Sequence, residues 1–242
     1  MTIAMDKTVR ELALENPSST RVFESLGIDY CCGGNQSLGE ACRSANLSVD
    51  QVLDSLNKVG EAELARHQPR DWQIEPLATL ITHIQSTHHK YTKEEIARLG
   101  PLLEKVCSVH GKNHPELLEV REIFRNLAQE LSAHMMKEEM ILFPYIIRME
   151  AAATRKEATA RAPFGSVGNP ISIMEHKHAS AGYALRTLRN ATKGYCAPAG
   201  SCISYQTLYK ALAFFEADLH QHIHLENNIL FPRAVAIEKA GS

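Results

Sequence analysis

The sequence predicts an all-α protein, in which an up-down-up-down four-helix bundle follows a small helical N-terminal domain. Three observations predict this architecture. Apolar residues recur at helical spacing over four long stretches of the chain. Loops rich in glycine, proline and small polar residues separate these stretches. Helix-capping signals divide the first part of the chain into much shorter segments.

The N-terminal domain is predicted over residues 1–60 as a set of short helices. Asn16–Pro17 combines an N-cap residue with proline at the first helical position, and Gly27 is placed to end that helix. Capping-box patterns begin at Ser37 and Ser48. In this pattern a side chain and a backbone amide satisfy each other at a helix start, so both positions predict a new helix.

A loop with two adjacent cysteines, Asp29-Tyr-Cys-Cys-Gly-Gly34, lies between these short helices. A disulfide between Cys31 and Cys32 would be strained and easily reduced, because consecutive Cα atoms are only about 3.8 Å apart. The two glycines that follow allow the backbone to present both thiols outward. Free cysteines are often buried and inert. In this loop we nevertheless favour a chemical role, and we predict Cys31 and Cys32 as catalytic residues.

The bundle is predicted over residues 76–242, after a polar linker at residues 61–75. Its first helix begins near Pro76 and is expected to be kinked or interrupted at Gly100–Pro101. The other three helices are predicted over about residues 116–150, 169–192 and 202–238. Short links between long helices favour antiparallel neighbours, an arrangement whose core commonly holds metals.

An eleven-residue motif occurs twice, beginning at His134 and at His222, and the copies agree at six of eleven positions. In each copy a glutamate follows the histidine four residues later, so both side chains lie on one face of a helix. An upstream histidine precedes each copy at a matched distance. His89 lies 45 residues before His134, and His178 lies 44 residues before His222. The bundle is therefore predicted to consist of two similar halves.

Two such halves facing each other would bring four imidazoles and two carboxylates together as a two-metal site. Imidazole and carboxylate ligands suit non-haem iron, manganese or zinc. His88 competes with His89, and His176 with His178, and the second of each pair gives the matched spacings. The predicted metal ligands are His89, His134, Glu138, His178, His222 and Glu226. His83, His220 and His224 are interpreted as neighbours of these ligands or as surface residues.

Composition limits the partners and the compartment. The net charge of -2 offers no basic surface for nucleic acid or anionic lipid, so neither is expected as a partner. We see no signal peptide and no apolar run of the roughly 20 residues that a membrane-spanning helix needs. We therefore expect a cytoplasmic protein whose thiols stay reduced. Cys196 and Cys202 flank one loop and could pair, but we leave them unassigned.

Three motifs carry a resemblance to a known family: Asp29-Tyr-Cys-Cys-Gly-Gly34, His134-Met-Met-Lys-Glu138 with Ile-Leu-Phe-Pro after it, and His222-x-x-Leu-Glu226-Asn-Asn with Leu-Phe-Pro. The chain resembles, over nearly its whole length, the hemerythrin-like di-iron proteins called repair of iron centres proteins. The resemblance implies two iron ions in an oxo- or hydroxo-bridged centre, ligated by the four histidines and bridged by Glu138 and Glu226. It also implies that Cys31 and Cys32 matter for activity.

The resemblance implies the repair of iron-sulfur clusters damaged by nitrosative or oxidative stress, through donation of iron from the di-iron centre. Damaged iron-sulfur proteins and the gases NO and O2 are then the expected partners. The alternative is a di-iron sensor or scavenger that binds NO or O2, or reduces NO. Whether the protein is an enzyme, such as an NO reductase, and whether it forms a homodimer stay open at this point. A zinc bundle is a third, weaker hypothesis.

Overall fold

Helices and their connecting loops make up the computed structural model, which describes residues 7–16, 19–31, 33–63, 70–157 and 163–241. Within these ranges there is no β-strand, and only an isolated bridge joins Thr8 to Ser37. The predicted all-α class is therefore confirmed. Backbone contacts divide the chain into two compact units, residues 1–75 with 223–232 and residues 76–222 with 233–242. The domain boundaries drawn from the sequence stay predictions.

Four short helices form the N-terminal part of the first unit within the described residues. They are α1 (Val9–Glu15), α2 (Ser19–Leu26), α3 (Leu38–Ser44) and α4 (Val49–Glu63). Gly27 ends α2 with a φ of +68°, which glycine adopts at little cost, so the predicted stop is confirmed. The capping box predicted at Ser37 is present, because its hydroxyl accepts from the Glu40 amide and the Glu40 carboxylate accepts from the Ser37 amide. The predicted start at Pro17 lies outside the described residues.

The core of this unit packs apolar side chains of all four short helices around Phe23 and Tyr30. Residues 223–232 belong to the same unit. From that segment, the amide of Asn228 donates to the Tyr30 carbonyl oxygen at 3.2 Å, and the His224 ring meets the Tyr30 ring edge-on at 5.5 Å. Arg10 donates to the Asn228 carbonyl oxygen at 3.3 Å. Polar contacts thus add to the apolar core here.

The first long helix contains α5 (Leu77–His83), a π turn (Ile84–His89) and α6 (Lys90–His110). Of the two alternatives expected at Gly100–Pro101, the interruption is wrong, because α6 runs through Pro101. The kink stays a prediction. Gly100 has no Cβ to collide with the proline ring, which relaxes the usual restriction on the residue before proline. Pro101 and Ala97 are exposed, so the Ala97 carbonyl that loses its helical partner is accessible to water.

The remaining long helices follow the predicted order, and their ends lie within five residues of the predicted ones. The second contains α7 (Glu116–Lys137), a π turn (Glu138–Leu142) and α8 (Phe143–Arg155); the third is α9 (Gly168–Ala191); the fourth contains α10 (Ile203–Leu225), a π turn (Glu226–Leu230) and α11 (Phe231–Ala240). In the second unit α6 packs on α7, and α7 packs on α9. The predicted series of four long helices joined by short loops is thus confirmed in the described part of the chain.

Candidate metal centre

The six side chains predicted as metal ligands are all buried, with exposed fractions between 0 and 5%. His89 closes the π turn of the first long helix, and His178 lies in the middle of α9. In the second long helix, His134 lies in the last turn of α7 and Glu138 begins the π turn that follows. Glu226 likewise begins the π turn after α10. Both copies of the motif therefore have the same local backbone, with a π turn starting at the glutamate.

Two groups of buried donors lie close enough together to hold a metal ion each. One consists of His89, Glu138, His222 and Glu226, and the other of His134, Glu138, His178 and Glu226. Within each group the donor atoms all lie within 4.8 Å of one another. Both glutamates belong to both groups, which is the arrangement that two bridging carboxylates require. The structure therefore brings together all six residues that the sequence predicted.

The histidines converge in pairs through their Nε2 atoms. His89 Nε2 lies 3.1 Å from His222 Nε2, and His134 Nε2 lies 2.8 Å from His178 Nε2. Glu138 directs one oxygen to each pair: Oε1 lies 3.1 Å from His134 Nε2, and Oε2 lies 3.6 Å from His89 Nε2. One carboxylate thus faces two imidazole pairs, so it can serve two cations at once.

Glu139, which the sequence reasoning missed, orients one of these imidazoles. Its Oε1 lies 2.8 Å from His89 Nδ1, and Lys93 Nζ donates to both of its oxygens at 2.7 and 2.8 Å. Burial acts to raise the pKa of Glu139, but the hydrogen bonds from Lys93 and His89 outweigh it, and the pKa is lowered. An ionised Glu139 accepts a hydrogen bond from Nδ1–H of His89, which leaves the lone pair of Nε2 directed into the centre.

The donor set fits a pair of metal ions. Neither oxygen of Glu138 receives a hydrogen bond from the described residues, although the side chain is fully buried. A buried carboxylate without such partners is unfavourable by several kcal/mol. Cations between this carboxylate and the imidazole pairs would remove that penalty. Four imidazole nitrogens with two shared carboxylates is a set that suits non-haem iron.

The competing histidines lie outside both donor groups. His88 Nδ1 instead pairs with Asp218 Oδ1 at 2.9 Å, and His176 is exposed. His220 is half-buried, with its Nε2 4.0 Å from a Glu216 oxygen. His83 is also half-buried and packs its ring edge-on against the ring of His88 at 5.5 Å.

His224 is buried and accompanies Asn228 in the first unit, so it is not a surface residue. Burial, together with the charge of Arg10, lowers the pKa of His224 to about 4. The imidazole is therefore neutral at neutral pH.

A cavity of about 420 Å³ lies between α7 and α9 and reaches one imidazole pair. His134 and His178 form part of its wall, together with apolar side chains that include Leu127, Leu131 and Ala181. Lys177 and Glu130, which form an ion pair at 2.5 Å, also line it. The cavity is large enough for small molecules, and it leads to the His134 and His178 side of the centre.

The cysteine loop differs from the prediction in one respect. Cys31 is buried, and its amide and thiol both donate to Asp29 Oδ1, at 3.2 and 3.4 Å, so the thiol does not point outward. Gly34 explains this fold of the loop. A Cβ there would lie 2.7 Å from the Tyr30 carbonyl oxygen, so the loop closes more tightly than other residues allow. Cys32 lies outside the described residues.

Among the described residues, no helix is both long enough and apolar enough to cross a membrane.

The matching family models and two similar relatives indicate the same kind of protein. The model of a family described as Hemerythrin HHE cation binding domain matches residues 80–234, and that of a Domain of Unknown function (DUF542) matches residues 5–60. The chain is 36% identical over 230 residues to the iron-sulfur cluster repair protein YtfE of Pectobacterium carotovorum subsp. carotovorum (strain PC1), covering 95% of this chain and 97% of that protein. It is 36% identical over 233 residues to YtfE of Escherichia coli O81 (strain ED1a), covering 96% and 98%.

Proposed function

Because the chain belongs to the hemerythrin-like di-iron family of iron-sulfur cluster repair proteins, we propose that it restores damaged clusters by donating iron from its buried centre. The ligands in this proposal are the six converging side chains, with the two glutamates as bridges. They are His89, His134, Glu138, His178, His222 and Glu226. Damaged iron-sulfur proteins are the proposed clients, and the cytoplasm is the proposed compartment. A homodimer stays a prediction.

The observation that carries the proposal is the shared carboxylate between two imidazole pairs. Glu138 faces His134 with one oxygen and His89 with the other, at 3.1 and 3.6 Å. Two iron ions bound there supply Lewis-acid and redox chemistry. The protein would hold each ion through four donors, two imidazoles and two shared carboxylates. Since iron commonly takes five or six ligands, the protein does not fill either coordination shell. Incomplete ligation by neutral imidazoles favours an ion that can leave.

One histidine of each half, His89 and His134, can be compared for how firmly it is held. Glu139 and Lys93 fix His89 through its Nδ1 atom. In contrast, His134 Nδ1 is buried and has no hydrogen-bond partner among the described residues. An orienting partner on Nδ1 strengthens a metal-ligating histidine, so His134 is a weaker ligand than His89. The cavity also opens onto His134 and His178. We therefore assign the donated iron to this half.

The first experiment follows iron directly from the protein to a client. The iron-loaded protein is mixed with an iron-sulfur enzyme that NO has inactivated, and both proteins are separated afterwards. We expect the client to regain activity while the iron content of the donor falls by an amount that the client gains. Metal-free protein is the control, and it should restore nothing. Reactivation without loss of iron from the donor would contradict donation.

The same iron-transfer assay tests the role of the cysteine loop with a separate variant. Thiolates are soft ligands that bind iron well, so Cys31 and Cys32 are proposed to pass iron or electrons during transfer. Changing both residues to alanine is expected to lower transfer while the donor keeps its two iron ions. Changing exposed Cys196 to alanine is the matched control. If the double variant repaired clusters at the unchanged rate, the cysteines would have no part in transfer.

The second candidate function is the binding of NO or O2, and the cavity between α7 and α9 favours it. Its mostly apolar wall suits small uncharged gases, and it ends at His134 and His178. Ala184 lines this cavity and is half-buried, whereas Ala179, on the same helix, is exposed and lies outside the lining. These two alanines therefore allow a matched test of the route.

Changing Ala184 to leucine is expected to slow the reaction of the centre with NO severalfold, because the larger side chain narrows the cavity. Changing Ala179 to leucine should leave the rate unchanged. Stopped-flow absorption of the iron-loaded variants measures both rates. A reversible spectral change with gas, without iron loss to an acceptor, would favour a sensor over a donor. Equal rates in the two variants would show that gas enters elsewhere.

A further inference from the structure

Away from the metal centre, the exposed thiol of Cys202 lies against the imidazole of His110. Cys202 Sγ and His110 Nε2 are 3.1 Å apart. Cys202 directly precedes α10, and its carbonyl oxygen accepts from the Gln206 amide at 3.1 Å, so it stands at the entry to the first helical turn. His110 is the last residue of α6. The fold thus joins the beginning of one long helix to the end of another through these two side chains.

The contact supplies the thiol with a base. An imidazole within hydrogen-bond distance can accept the thiol proton and leave the thiolate as a nucleophile. The two side chains therefore have the arrangement of an activated cysteine.

Aromatic neighbours hold the His110 ring in place. The buried Tyr205 ring lies 5.4 Å from it, centroid to centroid, and the His114 ring lies 6.5 Å away. His114 is itself hydrogen-bonded to Glu116, with Nδ1 and Oε1 3.0 Å apart. The imidazole thus has packing partners on the bundle side while its Nε2 atom faces the thiol.

Other described cysteines lack this combination of exposure and a neighbouring base. Cys42 and Cys107 are buried, and burial raises the pKa of both thiols, which makes them poor nucleophiles. Cys196 is exposed like Cys202, but its thiol is directed to the carbonyl oxygen of Gly194, 3.9 Å away. Cys196 therefore provides a matched exposed thiol within the same loop.

We propose that Cys202 is a reactive thiol, with His110 as its general base, and that low-molecular-weight disulfides modify it. His110 accepts the proton of Sγ, and the thiolate attacks one sulfur of the disulfide. A new bond forms between Cys202 and that sulfur as the original S–S bond breaks. The departing thiolate takes the proton from His110. The protein thiol is oxidised to a mixed disulfide and half of the reagent is reduced to a thiol, so no further oxidant is needed.

This site is independent of the proposed iron chemistry. Cys202 stands at the start of α10, and His222 lies about 30 Å further along that helix, at roughly 1.5 Å per residue. Modification here responds to the ratio of disulfide to thiol around the protein, whereas the centre responds to iron and its ligands. Failure of iron donation would leave this inference standing, and failure of this inference would leave iron donation standing.

The experiment measures the reactivity of each cysteine in the full-length, iron-loaded protein. Limiting iodoacetamide is followed by peptide mass spectrometry, and a parallel sample is treated with glutathione disulfide. We expect Cys202 to react roughly tenfold faster than Cys196, less than the 10²–10⁴ of an enzyme base because the pair is exposed. The mixed disulfide is expected on the peptide that contains Cys202. Equal rates at the two cysteines, or an adduct mainly at Cys196, would overturn the proposal.

A variant of the base separates chemistry from packing. His110→Gln keeps a polar side chain of similar length but removes the base. The reaction rate of Cys202 should therefore fall to that of Cys196. The rate of Cys196 within the same molecule reports any general loosening of the fold. If Cys202 kept its advantage in His110→Gln, then His110 would not be the base and the proposal would be wrong. The comparison in the unaltered protein decides the question even if this variant folds poorly.

Discussion

Changing Glu138 to glutamine is expected to remove both iron ions and, at the same time, to stabilise the metal-free fold. Glu138 belongs to both donor groups, so its loss weakens both. Glutamine has nearly the same volume but carries no charge, and it is a poor ligand for iron. In the absence of metal, the wild-type chain buries a carboxylate whose oxygens receive no hydrogen bond from the described residues. The neutral amide removes that penalty.

The two effects have opposite signs, which makes the test sharp. The iron content of the variant, measured by metal analysis, should fall from two ions per chain to almost none. Thermal unfolding of the chelator-treated variant should occur at a higher temperature than that of the chelator-treated wild type, corresponding to about 1–3 kcal/mol. Glu139→Gln is the matched control, because Glu139 is no member of either group but orients His89. The affinity of the Glu139→Gln variant for iron should fall by about 10–100-fold. Retention of two ions in Glu138→Gln would refute the bridging role.

The convergence of the ligands could be predicted because it depends on periodicity. A histidine and a glutamate four residues apart must share a helix face, and a repeat of the pair requires two such faces. The matched spacings favoured His89 over His88, and His178 over His176, as metal ligands. The structure gives the physical reason for that choice, since each rejected histidine has another partner or is exposed.

The parts that could not be predicted depend on contacts between elements. A π turn follows from local rearrangement of backbone hydrogen bonds, and no residue type in Glu138–Leu142 signals it. The repeat did not indicate a role for Glu139, because the second motif copy has Asn227 at the corresponding position. The burial of Cys31 results from its hydrogen bonds to Asp29 and the tight approach at Gly34, which composition alone does not reveal.

The two halves of the centre should also lose iron separately when a ligand unique to one half is removed. His178 belongs only to the group with His134, whereas the other group keeps its complete set of donors without it. His176 lies two residues earlier on α9, is exposed and belongs to neither group. The pair therefore compares a histidine inside the centre with one outside it on the same helix.

Changing His178 to alanine is expected to reduce the iron content from two ions per chain to about one, because three donors remain where there were four. The remaining ion should be the one held by His89 and His222, where Glu139 supports the ligation. Electron paramagnetic resonance of the oxidised variant should show the signal of an isolated ferric ion. Magnetic coupling suppresses this signal when two ferric ions form a pair. Changing His176 to alanine should leave two ions and no such signal. Loss of both ions from His178→Ala would mean that the halves bind iron only together, and equal loss from both variants would remove His178 from the ligand set.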